Sequence, residues 1–93
     1  MSLNSYKEEA KDFMQKLDAC NKETRLKLSW LDKEFQLLKE AVELEENEKI
    51  RHQIYDMLFL LFEIAADYDY DLDTEWSNGR KKKEEKYLSG KSI

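Results

Sequence analysis

Residues 54–66 read IYDMLFLLFEIAA, a run that is apolar at every position except Asp56 and Glu63 once the tyrosine ring is counted with the hydrophobes. The surrounding segment, about Glu48 to Asp67, predicts a helix that is apolar around most of its circumference. Ile50, Ile54, Met57, Leu58, Leu61, Phe62 and Ala65 lie at the centre of its apolar face. Such a helix belongs in the middle of a bundle. Opposite that centre, His52, Gln53, Asp56 and Glu63 form a polar arc of about 100°. The arc is either a minimal solvent stripe or the wall of a polar site. The apolar part, Met57 to Ala66, is too short to span a bilayer and contains Glu63, so it is read as core.

On the N-terminal side a helix is expected from Thr24 or Arg25 to Leu44, with Glu45 to Glu48 as a polar connection. Leu28, Leu31, Phe35, Leu38 and Val42 make one apolar stripe, and Trp30, Leu37, Ala41 and Leu44 make a second. Glu34 falls between them. A carboxylate enclosed by hydrophobes costs several kcal/mol or takes up a proton, so it needs a hydrogen-bonding partner, a cation or a chemical task. The alternative is an acid at the edge of the core, reaching solvent or a lysine. A further helix, about 4–20, carries Tyr6, Ala10, Phe13, Met14, Leu17 and Cys20 on one face, after which Asn21 and Thr24 offer cap chemistry.

Beyond the quoted run, DYDYDLDTE alternates acids with aromatic or aliphatic residues. It fails as a calcium loop because Leu72 stands at the glycine turn and Asn78 at the bidentate glutamate. Asp71 and Asp73 serve better as N-cap and first-turn acids of a last helix, about 72–88. That helix is expected to bury Trp76 and Tyr87, with Gly79 a weak point costing about 1 kcal/mol and a frayed tail from Ser89.

The absence of proline and the two glycines, at positions 79 and 90, leave few residues for the tight turns of a β protein. One all-α domain over residues 1–93, with helices at about 4–20, 25–44, 48–67 and 72–88, is the expected architecture. A chain this short buries only about 60–65% of its unfolded surface. The 41% hydrophobic content and eleven aromatic residues still suffice for a helical core. A net charge of −5 argues against a nucleic-acid partner, which needs a dominant basic field. The basic run Arg80 to Lys83 is diluted by Glu84 and Glu85 and reads as a solvated face. One cysteine, Cys20, cannot close an internal disulfide and reads as a small core residue. With no leader or membrane-length segment, the expectation is a cytoplasmic protein without membrane contact.

Two stretches, KEFQLLKEA (33–41) and QIYDMLF (53–59), resemble the paired motifs of the MazG-like all-α nucleoside triphosphate pyrophosphohydrolases. There one helix carries E-E-x-x-E-L before a small residue and the next carries E-L-x-D-V-L. Lys33 and Glu34 occupy the places of the paired acids, Leu37 the third acid, Leu38 the leucine, Ala41 the small residue, Gln53 the next glutamate and Asp56 the aspartate. EIAADYDYDLDTEW is similar to the family's turn into its last helix, and KKKEEKY to its basic close before a tyrosine. The likeness covers Leu28 to Tyr87 and consists largely of hydrophobic spacing.

The resemblance implies a four-helix bundle of MazG-like type in which carboxylates from two antiparallel helices hold Mg²⁺ against a nucleoside triphosphate, giving a monophosphate and pyrophosphate. Of those acids Glu34 and Asp56 remain, and they are the expected metal ligands. Gln53, His52 and Glu63 are auxiliary candidates, and Lys83 and Lys86 are candidate phosphate contacts. Mg²⁺ is commonly held by one or two carboxylates plus phosphates and waters, so a reduced site is compatible with nucleotide binding or weak pyrophosphohydrolase activity. A two-metal clamp needs more ligands than this pair supplies. The other reading is a noncatalytic helical protein that kept the fold for oligomerisation or partner binding. Either way, two apolar stripes on one helix exceed what a single small core needs, and a homodimer or higher oligomer is expected to complete the bundle.

Overall fold

The computed structural model of the chain describes residues 2–17 and 23–88. Four helices, α1 (Leu3–Lys16), α2 (Thr24–Glu43), α3 (Asn47–Tyr68) and α4 (Leu72–Tyr87), account for the secondary structure of these residues, with no strand among them. The all-α expectation holds. Cys20, the Asn21 cap and the tail from Ser89 lie outside the described residues.

Local chemistry explains the helix ends. Ser2 caps α1 through a capping box in which Ser5 N donates to Ser2 Oγ (3.2 Å) and Ser2 N donates to Ser5 Oγ (3.1 Å). Both α2 and α3 close with the bonding pattern of a Schellman turn. Glu46 N donates to Ala41 O (3.0 Å) and Glu45 N to Val42 O (3.2 Å). At the end of α3, Tyr70 N donates to Ala65 O (3.1 Å) and Asp69 N to Ala66 O (3.2 Å). The left-handed residue of such a turn is usually glycine. Here it is Glu45 and Asp69, each at φ 55°, so two side-chain-bearing residues hold a conformation that disfavours a Cβ.

α3 is the spine, packed by α2 on one side and α1 on the other. The α1 seam is aromatic: Tyr6 lies 5.8 Å from Phe62, and Phe13 meets Phe59 edge-on at 5.4 Å between ring centroids. The buried hydrophobic core among the described residues is small, consisting of Ala10, Met14, Ala41 and Ala65. α3 is turned the opposite way from a helix at the centre of a closed core. Ile54, Leu58 and Leu61 are each about half exposed, whereas Glu63 is only 9% exposed and Gln53 and Asp56 are partly buried. Gln53, Asp56 and Glu63 of the polar arc thus face into the chain while His52 looks out, and of the apolar face Ile54, Leu58 and Leu61 look outward while Ala65 is buried. Leu28, Phe35 and Val42 of α2 are likewise exposed.

α4 departs from expectation. It packs against α1 near its own start, and none of its residues is buried. Trp76 and Tyr87, expected in the core, are both 66% exposed, because no described helix covers the face on which they sit. What fixes α4 is an exchange of caps. Asp73 accepts from the first amides of α1, Leu3 N (2.8 Å) and Asn4 N (3.4 Å), while Asn4 Oδ1 accepts from Leu72 N (2.8 Å) and Asn4 Nδ2 donates to Asp71 (2.9 Å). Asp71 caps α4 as expected, accepting from Thr74 N. The Asn4 hydrogen bond, followed by those from Thr74, lowers the Asp71 pKa to about 2. A cation extends the clasp, since Lys7 Nζ donates to Tyr70 O (2.5 Å) and lies 3.5 Å from Asp69 Oδ1.

The open arrangement is visible in bulk quantities. The radius of gyration is 16.1 Å, against roughly 12 Å for a compact domain of this length. The accessible surface is 7546 Å², against roughly 5,700 Å² for a folded monomer of this mass.

Candidate functional site

Glu34 from α2 and Asp56 from α3 wall one groove of about 460 Å³, together with Glu63. Its other sides are aromatic: Trp30, Tyr55, Phe59 and Phe13. The register of the α2–α3 hairpin puts both acids there. Glu34 lies between the apolar stripes of α2 and Asp56 on the inward polar arc of α3, so antiparallel packing turns the two toward the same space.

The two acids differ in their partners. Asp56 Oδ2 lies 2.9 Å from His52 Nε2, one helical turn earlier, and the histidine is largely exposed. Glu34 Oε2 is buried and accepts no hydrogen bond from the described residues. An unpartnered buried carboxylate oxygen is an unmet demand for a donor or a cation. Gln53 Oε1 is similarly buried and unpartnered, but Gln53 lines a different pocket, of about 290 Å³, with Leu37, Ala41 and Lys49. The glutamine is therefore set apart from the acids it was expected to assist. Glu40 and Glu43 are exposed, as the helical wheel of α2 predicts.

Glu63 joins the groove to a polar cluster that the sequence reading missed. Lys27, from the first turn of α2, is 1% exposed, and its ammonium donates to both oxygens of Asp67, at 2.6 and 2.7 Å. Thr24 Oγ1 donates to the same carboxylate at 3.1 Å. Burial raises the pKa of Glu63, the Lys27 charge opposes that shift and the Asp67 charge adds to it. The signal for Lys27 was present in the chain: it stands three residues before Trp30 and seven before Glu34, in line with Ala41. Lys7 gave a similar one, three residues before Ala10 and seven before Met14, and it is also buried.

The expected phosphate contacts lie elsewhere in the chain. Lys83 lines a groove of about 540 Å³ along α4 with Trp76, Gly79, Arg80 and Tyr87, and Lys86 Nζ sits 5.3 Å from the Tyr87 ring centroid. No residue of α4 lines the groove of Glu34 and Asp56. Within a single chain the two halves of the expected site are not brought together.

Among the described residues no group of three or more His, Cys, Asp or Glu side chains is placed to hold a metal ion. The donors at hand are two carboxylates in one groove, one with an unpartnered oxygen. That set fits a single divalent cation that keeps most of its waters or takes phosphate oxygens, and it does not fit a two-metal centre. No helix among the described residues is long and apolar enough to cross a membrane. Comparison of the chain with protein-family models, curated proteins and solved structures gives no match.

Proposed function

We propose that the chain is a MazG-like nucleotide-binding protein with a reduced divalent-cation site at Glu34 and Asp56. The observation that carries this reading is the shared groove, which two acids from different helices line and in which the Glu34 Oε2 atom is buried without a donor among the described residues. Mg²⁺ bound there would neutralise triphosphate oxygens and favour attack by water, giving a nucleoside monophosphate and pyrophosphate. His52 orients the Asp56 carboxylate, and aromatic side chains form the other walls of the groove. The site has fewer ligands than the resemblance calls for, so the expected activity is weak. Pyrophosphate release from a panel of canonical and modified (d)NTPs with Mg²⁺ or Mn²⁺ tests it. No turnover, together with no nucleotide-dependent rise in melting temperature, refutes it.

Self-association is part of this proposal, supported by the exposed Ile54, Leu58 and Leu61 of α3 and the surface excess of about 1,800 Å² over a compact monomer. The same observation favours a second reading, a noncatalytic helical protein that uses the fold for oligomerisation or partner binding. Glu34→Ala separates the two. As a metal ligand, Glu34 is needed for every nucleotide effect and its removal relieves the apo protein. As a structural acid, its loss lowers stability without a ligand phenotype.

A further inference from the structure

We infer that α4 is an exchanged arm: in the assembled protein, α4 of a second copy lies across the groove of Glu34 and Asp56, and each copy completes the other's site. This rests on the self-association proposed above and names the surfaces that carry it. Three observations support the choice of occupant.

First, α4 is a helix without a cover. Sixteen residues are marginal for an isolated helix in water, where stability comes mainly from packing of one face. Trp76 and Tyr87 nevertheless stand exposed beside Gly79, on one face with Arg80 and Lys83. Second, the C-terminal half of α4 is the basic segment of the chain. Residues 80–87 carry five bases against two acids, whereas the rest of the chain carries eleven bases against nineteen acids. The groove offers Glu34, Asp56 and Glu63 between aromatic walls, and the Trp76 face of α4 offers Trp76, Tyr87, Arg80 and Lys83, with Glu75 and Glu84 beside them and Arg80 paired to Glu84 at 3.1 Å. Third, the cap exchange between Asn4 and Asp73 fixes the base of α4 on α1, leaving its C-terminal half to project for a neighbour. If α4 of each copy lies in the groove of the other, the contact is isologous and closes as a dimer. The surface excess of about 1,800 Å² per chain leaves room for a contact of the size that obligate homodimers bury. The exchange also brings Lys83 and Lys86 to Glu34 and Asp56, a meeting that one chain alone does not make.

The test uses full-length protein carrying Cys20→Ser, with Tyr55→Cys at the groove in one preparation and Lys83→Cys on α4 in another. Both sites are exposed. The two preparations are mixed, allowed to exchange and treated with a short bis-maleimide, without nucleotide. The expected result is a covalent heterodimer at twice the chain mass, formed in the mixture and lost when the second chain also carries Trp76→Ala and Arg80→Glu. Light scattering on the uncross-linked protein runs alongside. A dimeric mass without the Tyr55–Lys83 cross-link overturns the exchanged arm while leaving self-association intact, and a monomeric mass overturns both. Neither outcome depends on nucleotide binding, which is read separately by pyrophosphate release.

Discussion

Lys27 and Asp67 form the most enclosed ion pair of the described chain, with the lysine ammonium 2.6 Å from one carboxylate oxygen and 2.7 Å from the other. The pair ties the start of α2 to the end of α3, and so fixes the register that puts Glu34 opposite the polar arc of α3. Removing one partner of a buried pair leaves an uncompensated charge. Lys27→Met is therefore expected to cost about 3 kcal/mol in urea unfolding, whereas Lys27→Met combined with Asp67→Leu recovers most of that loss. A single variant as stable as the wild type would show that the pair does not hold the hairpin.

Glu63 makes stability depend on pH in an identifiable direction. Burial raises its pKa above the ordinary 4.5, so the folded state favours the protonated form. The folded state then binds more protons than the unfolded one. Its contribution is full below the unfolded pKa and is lost as pH rises through the folded value. Unfolding midpoints of wild type and Glu63→Gln, compared from pH 4 upward, are expected to diverge, with the wild type losing ground to the variant as pH rises above about 4.5. Parallel curves would remove Glu63 from the buried cluster.

The clasp between α1 and α4 has the opposite pH sign. Asp71 is held at about 2 by Asn4 and Thr74, so its contribution is present above the ordinary 3.8 and disappears as pH falls through about 2. At neutral pH, Asp73→Ala should cost about 1 kcal/mol, the usual worth of a helix cap. Hydrogen exchange at the Leu3 and Asn4 amides should accelerate in that variant and stay unchanged in a control such as Glu85→Gln. Unaltered exchange in Asp73→Ala would show that the cross-cap is not formed in solution.

Glu45 is strained by its position. At φ 55° it occupies the left-handed place of the α2 Schellman turn, so Glu45→Gly is expected to stabilise the fold by about 0.5–1 kcal/mol despite the flexibility glycine adds to the unfolded chain. Thermal melts would read this directly, and a fall in melting temperature would contradict the turn as described.

Helix number and order were legible in the sequence because hydrophobic spacing and cap residues are local signals. α3 runs Asn47–Tyr68 against an expected 48–67, and α4 Leu72–Tyr87 against 72–88. α1 runs Leu3–Lys16 with Leu17 as its C-cap, and the rest of the expected 4–20 span lies outside the described residues. Glu34 and Asp56 stand out in the sequence because each is an acid among hydrophobes. Lys7 and Lys27 were missed because a lysine beside an apolar stripe reads as a surface residue whose stem covers hydrophobes while its head reaches water. Only the tertiary partners, Tyr70 and Asp69 for one and Asp67 for the other, explain why these two turn inward. The exposure of Trp76 and Tyr87 was not legible either, since periodicity shows that a face is apolar and not which molecule covers it.

The central claim is that Glu34 and Asp56 hold one divalent cation in their common groove. The most direct measurement is Mn²⁺ uptake followed by the electron paramagnetic resonance signal of the free ion, with a nonhydrolysable nucleoside triphosphate present, for wild type, Glu34→Gln and Asp56→Asn. The account predicts one cation per chain, taken up more tightly by protein and nucleotide together than by the nucleotide alone, with that gain lost in both variants and the apo melting temperature of Glu34→Gln raised because a buried oxygen without a donor has been neutralised. Wild-type protein that leaves the Mn²⁺ affinity of the nucleotide unchanged, or variants that tighten it as much as the wild type, would contradict it.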